Sequence, residues 1–257
     1  MLVIDTTYPA KNFNQRDGET VRQVIVHYTA APFASSLRTL TQDGVSAHYL
    51  LADPHDCSYR AAGYDELRVF RLVGEQDRAW HAGVSQWAGR DNLNSRSIGI
   101  EIVNLARDDA GVFTFPAYDP EQIELLIALI RDIQGRYPDI GPTDILGHSD
   151  VAYWRKSDPG PRLPWHQLFE AGVGAWFDGV TQEVYQRRFS MGLPPEVEIE
   201  RAFQRYGYAA AKNRQAFQQR VRAFQMHFRP NNYDGRLDAE TCGILYALND
   251  KYTGVAG

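Results

Sequence analysis

The chain has 257 residues, 44% hydrophobic and 23% charged, with a formal net charge of −5 and a pI of about 5.8. That length and apolar content suit a single α/β domain, or an enzyme domain with a small companion, and supply a real core. The acidic balance excludes a broad basic surface for nucleic acid, and the longest apolar helical run, Leu125 to Ile130, is too short to span or anchor in a membrane.

The opening residues Met1-Leu2-Val3-Ile4-Asp5-Thr6 lack the basic-then-apolar pattern of a cleaved signal peptide, so the cytoplasm is the default expectation, although export need not use such a signal. Val24-Ile25-Val26 is a β-branched apolar run that predicts a buried strand ending at His27. Ser35 or Ser36 can start a helix through Leu37 and Leu40, and His48 to Leu51 and Leu67 to Leu72 are further strand candidates. Cys57 and Cys242 lie far apart and read as unpaired thiols, not as a zinc motif. Gly83 to Ser97 reads as an irregular loop. Ile98 to Val103 is a strand whose apolar residues suggest burial on both faces at the centre of a sheet. Asp119-Pro120-Glu121-Gln122 predicts a capping box opening a helix with Ile123, Leu126, Ile127, Ile130 and Ile133 on one face, stopped by Pro138. Asp144 to Gly147 leads into His148. Lys156 to Trp165 is proline-rich and reads as an ordered loop, followed by a short helix from Trp165 through Phe169. Beyond Phe177 the character changes. Gly192-Leu193-Pro194-Pro195 looks like a linker, and three helical segments follow at Glu196–Tyr206, Gln215–His227 and Asp238–Asn249.

Among the seven histidines, His27 and His148 share a setting, the junction of an apolar strand with a loop, where rigid scaffolds present functional groups. Asp158 follows His148 by ten residues. Two imidazoles and a carboxylate give three ligands to zinc and leave a position for water, the pattern of a catalytic site. The same spacing also suits two hydrogen-bonded core histidines and an aspartate capping the turn before Pro159. Glu101 interrupts an apolar strand, where a carboxylate is costly unless it is paired, for instance with Arg96, or functional as a proton carrier. Lys156, close to Asp158, is either a solvated loop lysine or a cation that stabilises the oxyanion of a cleaved amide.

Several segments together resemble the zinc amidases of the AmpD/AmiD type, the amidase-2 family related to phage amidases and animal peptidoglycan recognition proteins. They are Val24-Ile25-Val26-His27-Tyr28-Thr29, Ser46-Ala47-His48-Tyr49-Leu50, Trp80-His81-Ala82-Gly83, Asn94 through Asn104, Gly147-His148-Ser149-Asp150 and Lys156-Ser157-Asp158-Pro159-Gly160-Pro161, in the family's order. The resemblance implies an α/β fold with a mixed central sheet flanked by helices and the zinc at one edge. By it His27, His148 and Asp158 are the zinc ligands, Glu101 is the general acid/base and Lys156 polarises the scissile carbonyl. Many relatives carry a tyrosine before the histidine matching His48; Ala47 stands here, which leaves proton transfer to Glu101. His48, His81, Trp80, Asn92 and Asn104 are the expected substrate contacts.

Ile199 to Leu248 resembles a three-helix peptidoglycan-binding module, carried by Val221 to Gln225 and Asp234 to Thr241. Phe203, Tyr206, Phe217 and Phe224 would form its core, with Gly235 permitting a turn and Asp238 capping the last helix. The expected organisation is a catalytic domain over 1–178, a linker over 179–195 and a helical domain over 196–257. The implied activity cuts the bond between N-acetylmuramic acid, or its 1,6-anhydro form, and L-alanine, with peptidoglycan or muropeptides as partners. Periplasmic action and a homo-oligomer are further expectations from the same resemblance. The competitors are a catalytically silent binding protein and a zinc peptidase acting within the stem peptide, although no HExxH motif is present.

Overall fold

Six strands form a mixed sheet in the spatial order Ile4–Asp5, Val69–Arg71, Tyr49–Leu51, Ser97–Ile102, Gln23–Tyr28 and Ile145–Gly147. Within it Tyr49–Leu51 runs antiparallel to Val69–Arg71 and every other pair is parallel. This is a computed structural model that describes residues 2–109 and 112–254. Met1 and residues 255–257, the outer ends of the two expected domains, lie outside the described residues. No described helix is long and apolar enough to cross a membrane, and both cysteines are free.

Helices α1 (Phe33–Gln42) and α2 (Cys57–Ala61) close one flank of the sheet, with Phe33, Leu40 and Tyr59 packed on Leu50 and Phe70. Helix α1 begins at Phe33 with Pro32 in the N-cap position, not Ser35 or Ser36; the Ser36 hydroxyl donates back to the Pro32 carbonyl inside the first turn. Helix α3 (Pro120–Arg136) opens on the predicted capping box. Gln122 accepts the Asp119 N–H through Oε1 and uses Nε2 to bind the Ala52 and Val103 carbonyls, so one residue caps the helix and pins it to the sheet. The apolar stripe of α3 covers Val24, Val26, Ile98, Ile100 and Ile102. The central strand is therefore apolar on one face only. Its other face carries Ser97, Gly99 and Glu101, and period-two alternation turns these toward the functional edge.

Helices α4 (His148–Val151) and α5 (Trp165–Glu170) complete the α/β part. The 179–195 segment is not the expected linker, because Gly179–Ser190 forms helix α6. Asp178 caps it by accepting the Thr181 N–H. It then lies against the last helix at Gly243, where a Cβ would meet the Gln182 carbonyl oxygen at 2.9 Å. Helices α7 (Glu196–Tyr206), α8 (Arg214–Phe228) and α9 (Ala239–Tyr252) follow, so the described residues of the C-terminal part form four helices. Asp238 caps α9 through the Thr241 N–H. Phe203, Tyr206 and Phe224 pack in a cluster that also takes in Ile25 and Leu146 of the sheet and Trp87. The two parts thus share one continuous core.

Candidate active site

Three functional positions lie at the carboxyl ends of adjacent parallel strands, the side where open α/β sheets bind ligands. His27 is the penultimate residue of Gln23–Tyr28 and pairs in register with Glu101 on the central strand, so both side chains leave the sheet on the same face. His148 begins α4 directly after Ile145–Gly147. The proline-rich loop returns Asp158 to the same point, tied by the Ser149 N–H to the Asp158 carbonyl at 2.8 Å.

His27 Nδ1, His148 Nδ1 and Asp158 Oδ2 stand 2.9 Å from one another, and all three side chains are buried. Their outward hydrogen bonds decide what they offer inward. His148 Nε2 lies 3.1 Å from the Ala82 carbonyl, which can only accept, and 3.3 Å from Arg155 Nη2, whose protons go to the Ala82 and Val84 carbonyls at shorter range, so in the neutral ring this nitrogen carries the proton. His27 Nε2 lies 3.0 Å from His81 Nδ1, His81 Nε2 lies 3.2 Å from Ser97 Oγ, and that hydroxyl donates to the Leu93 carbonyl at 2.7 Å. Read from the carbonyl backward, each nitrogen facing away from the centre is a donor. Both Nδ1 lone pairs then point at the Asp158 carboxylate. Three acceptors converging in a buried space call for a cation, and two imidazoles with one carboxylate suit zinc.

Burial governs how these groups titrate. Burial, reinforced by His148, lowers His27 to about 4, so it stays neutral. Burial alone would raise Asp158, but His148 and His27 hold it well below the usual carboxylate range. Burial, and then repulsion from Asp158, pushes Glu101 well above that range, while Lys156 pulls it down. Glu101 Oε2 is enclosed and has no hydrogen-bond partner among the described residues. Arg96 does not pair with it, because Arg96 is turned to Glu19 at 3.2 Å.

These groups open into a cleft of about 590 Å³ that Lys156, Trp80 and His81 also line. Trp80 is fixed edge-on by its Nε1–H to Asn14 Oδ1 at 2.7 Å. The remaining expected contacts do not reach the cleft. His48 is wholly buried; its Nδ1 accepts the Gly99 N–H at 2.9 Å, and burial, then Arg16, lower it to about 3, so it braces the central strand. Asn92 is exposed in a left-handed turn (φ 62°). Asn104 is buried, and its side-chain amide donates to the Pro116 carbonyl. Gly99 is required for a related reason, since a Cβ there would collide with the His81 ring.

Several residues of the site were not singled out from the sequence. Asn94 is buried, and its Oδ1 takes the N–H groups of His81 and Ala82, which sets the loop carrying His81. Arg155 lines the cleft but donates to the Ala82 and Val84 carbonyls. Gln219, Arg222 and Met226 of α8 form part of the wall. No local signal marks these last three, because they reach the cleft only through the packing of the C-terminal part.

Residues 17–161 match the family described as N-acetylmuramoyl-L-alanine amidase. The chain is 42% identical over 241 residues to N-acetylmuramoyl-L-alanine amidase AmiD of Escherichia coli (strain K12), covering 90% of this chain and 83% of that one. The crystal structure of AmpDh3 from Pseudomonas aeruginosa superposes with a TM-score of 0.89 at 55% identity, over 98% of this chain and 99% of the other. The complex of AmiD from E. coli with the substrate anhydro-N-acetylmuramic acid-L-Ala-D-gamma-Glu-L-Lys gives a TM-score of 0.79 at 39% identity, over 97% and 95% of the two chains.

Proposed function

The chain belongs to the N-acetylmuramoyl-L-alanine amidase family, and we propose that it uses zinc to hydrolyse the amide between N-acetylmuramic acid, or its 1,6-anhydro form, and L-alanine. The observation that carries the zinc reading is the convergence of three acceptor atoms at 2.9 Å beside an unpartnered, enclosed glutamate oxygen. His27 Nδ1, His148 Nδ1 and Asp158 Oδ2 would hold the ion. When bound, it supplies Lewis acidity toward water and the scissile carbonyl.

The chain's own residues do the rest. Glu101 takes a proton from the attacking water, with Oε2 free to receive it. The new C–O bond makes a tetrahedral centre, and Lys156, on the cleft wall, stabilises the charge that develops on the former carbonyl oxygen. The C–N bond then breaks, and Glu101 returns its proton to the departing amine of L-alanine. An elevated carboxyl pKa suits this second half, because the proton is retained until the amine needs it. The products are a muramic carboxylic acid and a stem peptide with a free amine. We further propose, from the resemblance to two-domain relatives, that the protein acts in the periplasm; recovery only in the cytoplasmic fraction on cell fractionation would remove that assignment.

The direct test is mass spectrometry of peptidoglycan and anhydromuropeptides incubated with the protein, with and without a zinc chelator. Chelator-sensitive release of intact stem peptides with a free L-alanine amine is expected. Fragments cut between amino acids would replace the amidase reading with the peptidase one, and binding without cleavage would favour the silent binding protein.

A further inference from the structure

The cleft that holds Glu101 and Lys156 is walled on one side by α8, a helix of the C-terminal part. Gln219, Arg222 and Met226 fall at i, i+3 and i+7, so one face of that helix looks into the cleft. The Arg222 guanidinium is held on two aromatic rings, 4.5 Å from the Phe113 centroid and 5.7 Å from that of Tyr233. No carboxylate and no carbonyl is bonded to it among the described residues, unlike Arg220 on the opposite face, which is spent on Glu200. The other cations of the cleft are committed. Arg155 donates to two backbone carbonyls, and the amidase reading assigns Lys156 to the scissile bond. Arg222 is thus a cation with its donors unused, oriented by stacking and facing the substrate space. A fork of this kind suits a planar oxyanion, which it can bind with two parallel hydrogen bonds.

The substrate offers such a group. In the peptide L-Ala-D-γ-Glu-L-Lys the chain continues through the glutamate side-chain carboxyl, which leaves the α-carboxylate free. That carboxylate lies one residue beyond the alanine whose amide is cut, a reach of about 7 Å in extended chain. We propose that Arg222 binds the free α-carboxylate of the γ-linked D-glutamate, so that the C-terminal helical part supplies a specificity-determining residue to the amidase site. This rests on the amidase reading above, and it gives α8 a role in selecting the peptide, apart from any hold on glycan.

The test uses the full-length zinc-loaded protein and two synthetic anhydromuropeptides, one with D-γ-glutamate and one with D-isoglutamine, in which that carboxylate is an amide. Wild type is expected to cleave both at the muramoyl–alanine bond and to favour the glutamate form. Arg222→Met should lose kcat/KM by about 10- to 100-fold on the glutamate substrate, mostly through KM, and by about 2-fold or less on the isoglutamine substrate. Arg222→Lys, which keeps the charge without the fork, should fall between. Unchanged zinc content and melting temperature separate a recognition defect from misfolding. Equal losses on both substrates, or none on either, would overturn the assignment while leaving the amidase reading intact. Failure of wild type to cut either substrate at that bond would strike the amidase reading instead.

Discussion

Replacing Tyr208 by phenylalanine tests whether the C-terminal helices hold the metal-site scaffold in place. Asp150, two residues after His148, is buried, and both its oxygens are held. Oδ1 accepts the Tyr208 hydroxyl at 2.6 Å, while Oδ2 accepts His227 Nδ1 at 2.8 Å and the Gly147 N–H at 2.8 Å. The His227 ring is itself stacked between Trp165 and Phe228, at centroid distances of 3.9 and 4.0 Å. Tyr208 remains a donor at any working pH, since burial and Asp150 push its hydroxyl well above the usual range. Tyr208→Phe removes one hydrogen bond to a buried charge and little else, a loss of about 1.5–3 kcal/mol. For a chain of this size about 2–4 °C of Tm accompanies each kcal/mol, so a fall of roughly 3–12 °C is expected in differential scanning calorimetry. The melt should stay a single transition, because the core is continuous between the two parts. A drop below about 1 °C, or two transitions that separate in the variant, would refute the claim that the helices brace this site.

Glu101→Gln should leave zinc content unchanged and reduce kcat by about 10²- to 10⁴-fold, measured on the anhydromuropeptide; retained turnover would move the proton-transfer role elsewhere. Lys156→Met should lower kcat and also displace the acid limb of the pH–rate profile to higher pH. The sign follows from Lys156 pulling Glu101 down against burial: without that cation the carboxyl pKa rises, and a base that must start unprotonated is lost at higher pH. A shift toward lower pH would contradict the assigned role. His81→Ala should weaken zinc binding by about 10- to 100-fold in a competition titration with a chromophoric chelator, by freeing the tautomer of His27; unchanged affinity would show that the histidine chain does not act on the metal. Glu75 is raised by burial, but Arg136 and Tyr49 hold it below its ordinary value, so its stabilising contribution is complete above the unfolded pKa and disappears as pH falls through the folded one. Glu75→Gln should therefore flatten the acid side of the stability–pH curve, as followed by chemical denaturation between pH 3 and about pH 6.

How far the sequence discloses this molecule depends on whether a feature is local. The capping box at Asp119, the apolar stripe of α3 and the strand ending at His27 are local patterns, and the fold displays them where the pattern lies. Glu101 is visible because a carboxylate in an apolar strand is an anomaly at its own position. His48 and His81 show the limit. Both rings pack around Gly99, yet one braces the strand from within and the other relays a hydrogen bond to His27, and nothing in their spacing separates the two outcomes. The helix Gly179–Ser190 escapes notice because its surface is mixed: Val180 and Val184 face solvent, while Gln182 and Phe189 are buried. Arg222 cannot be found by any local reading, since its place in the cleft exists only once α8 has docked on the α/β part. The same docking gives Asp150 two of its three partners. A boundary near residue 178 therefore marks a change of sequence character, not of structural dependence: the helices beyond it complete both the core beneath His27 and His148 and the wall of the cleft above them.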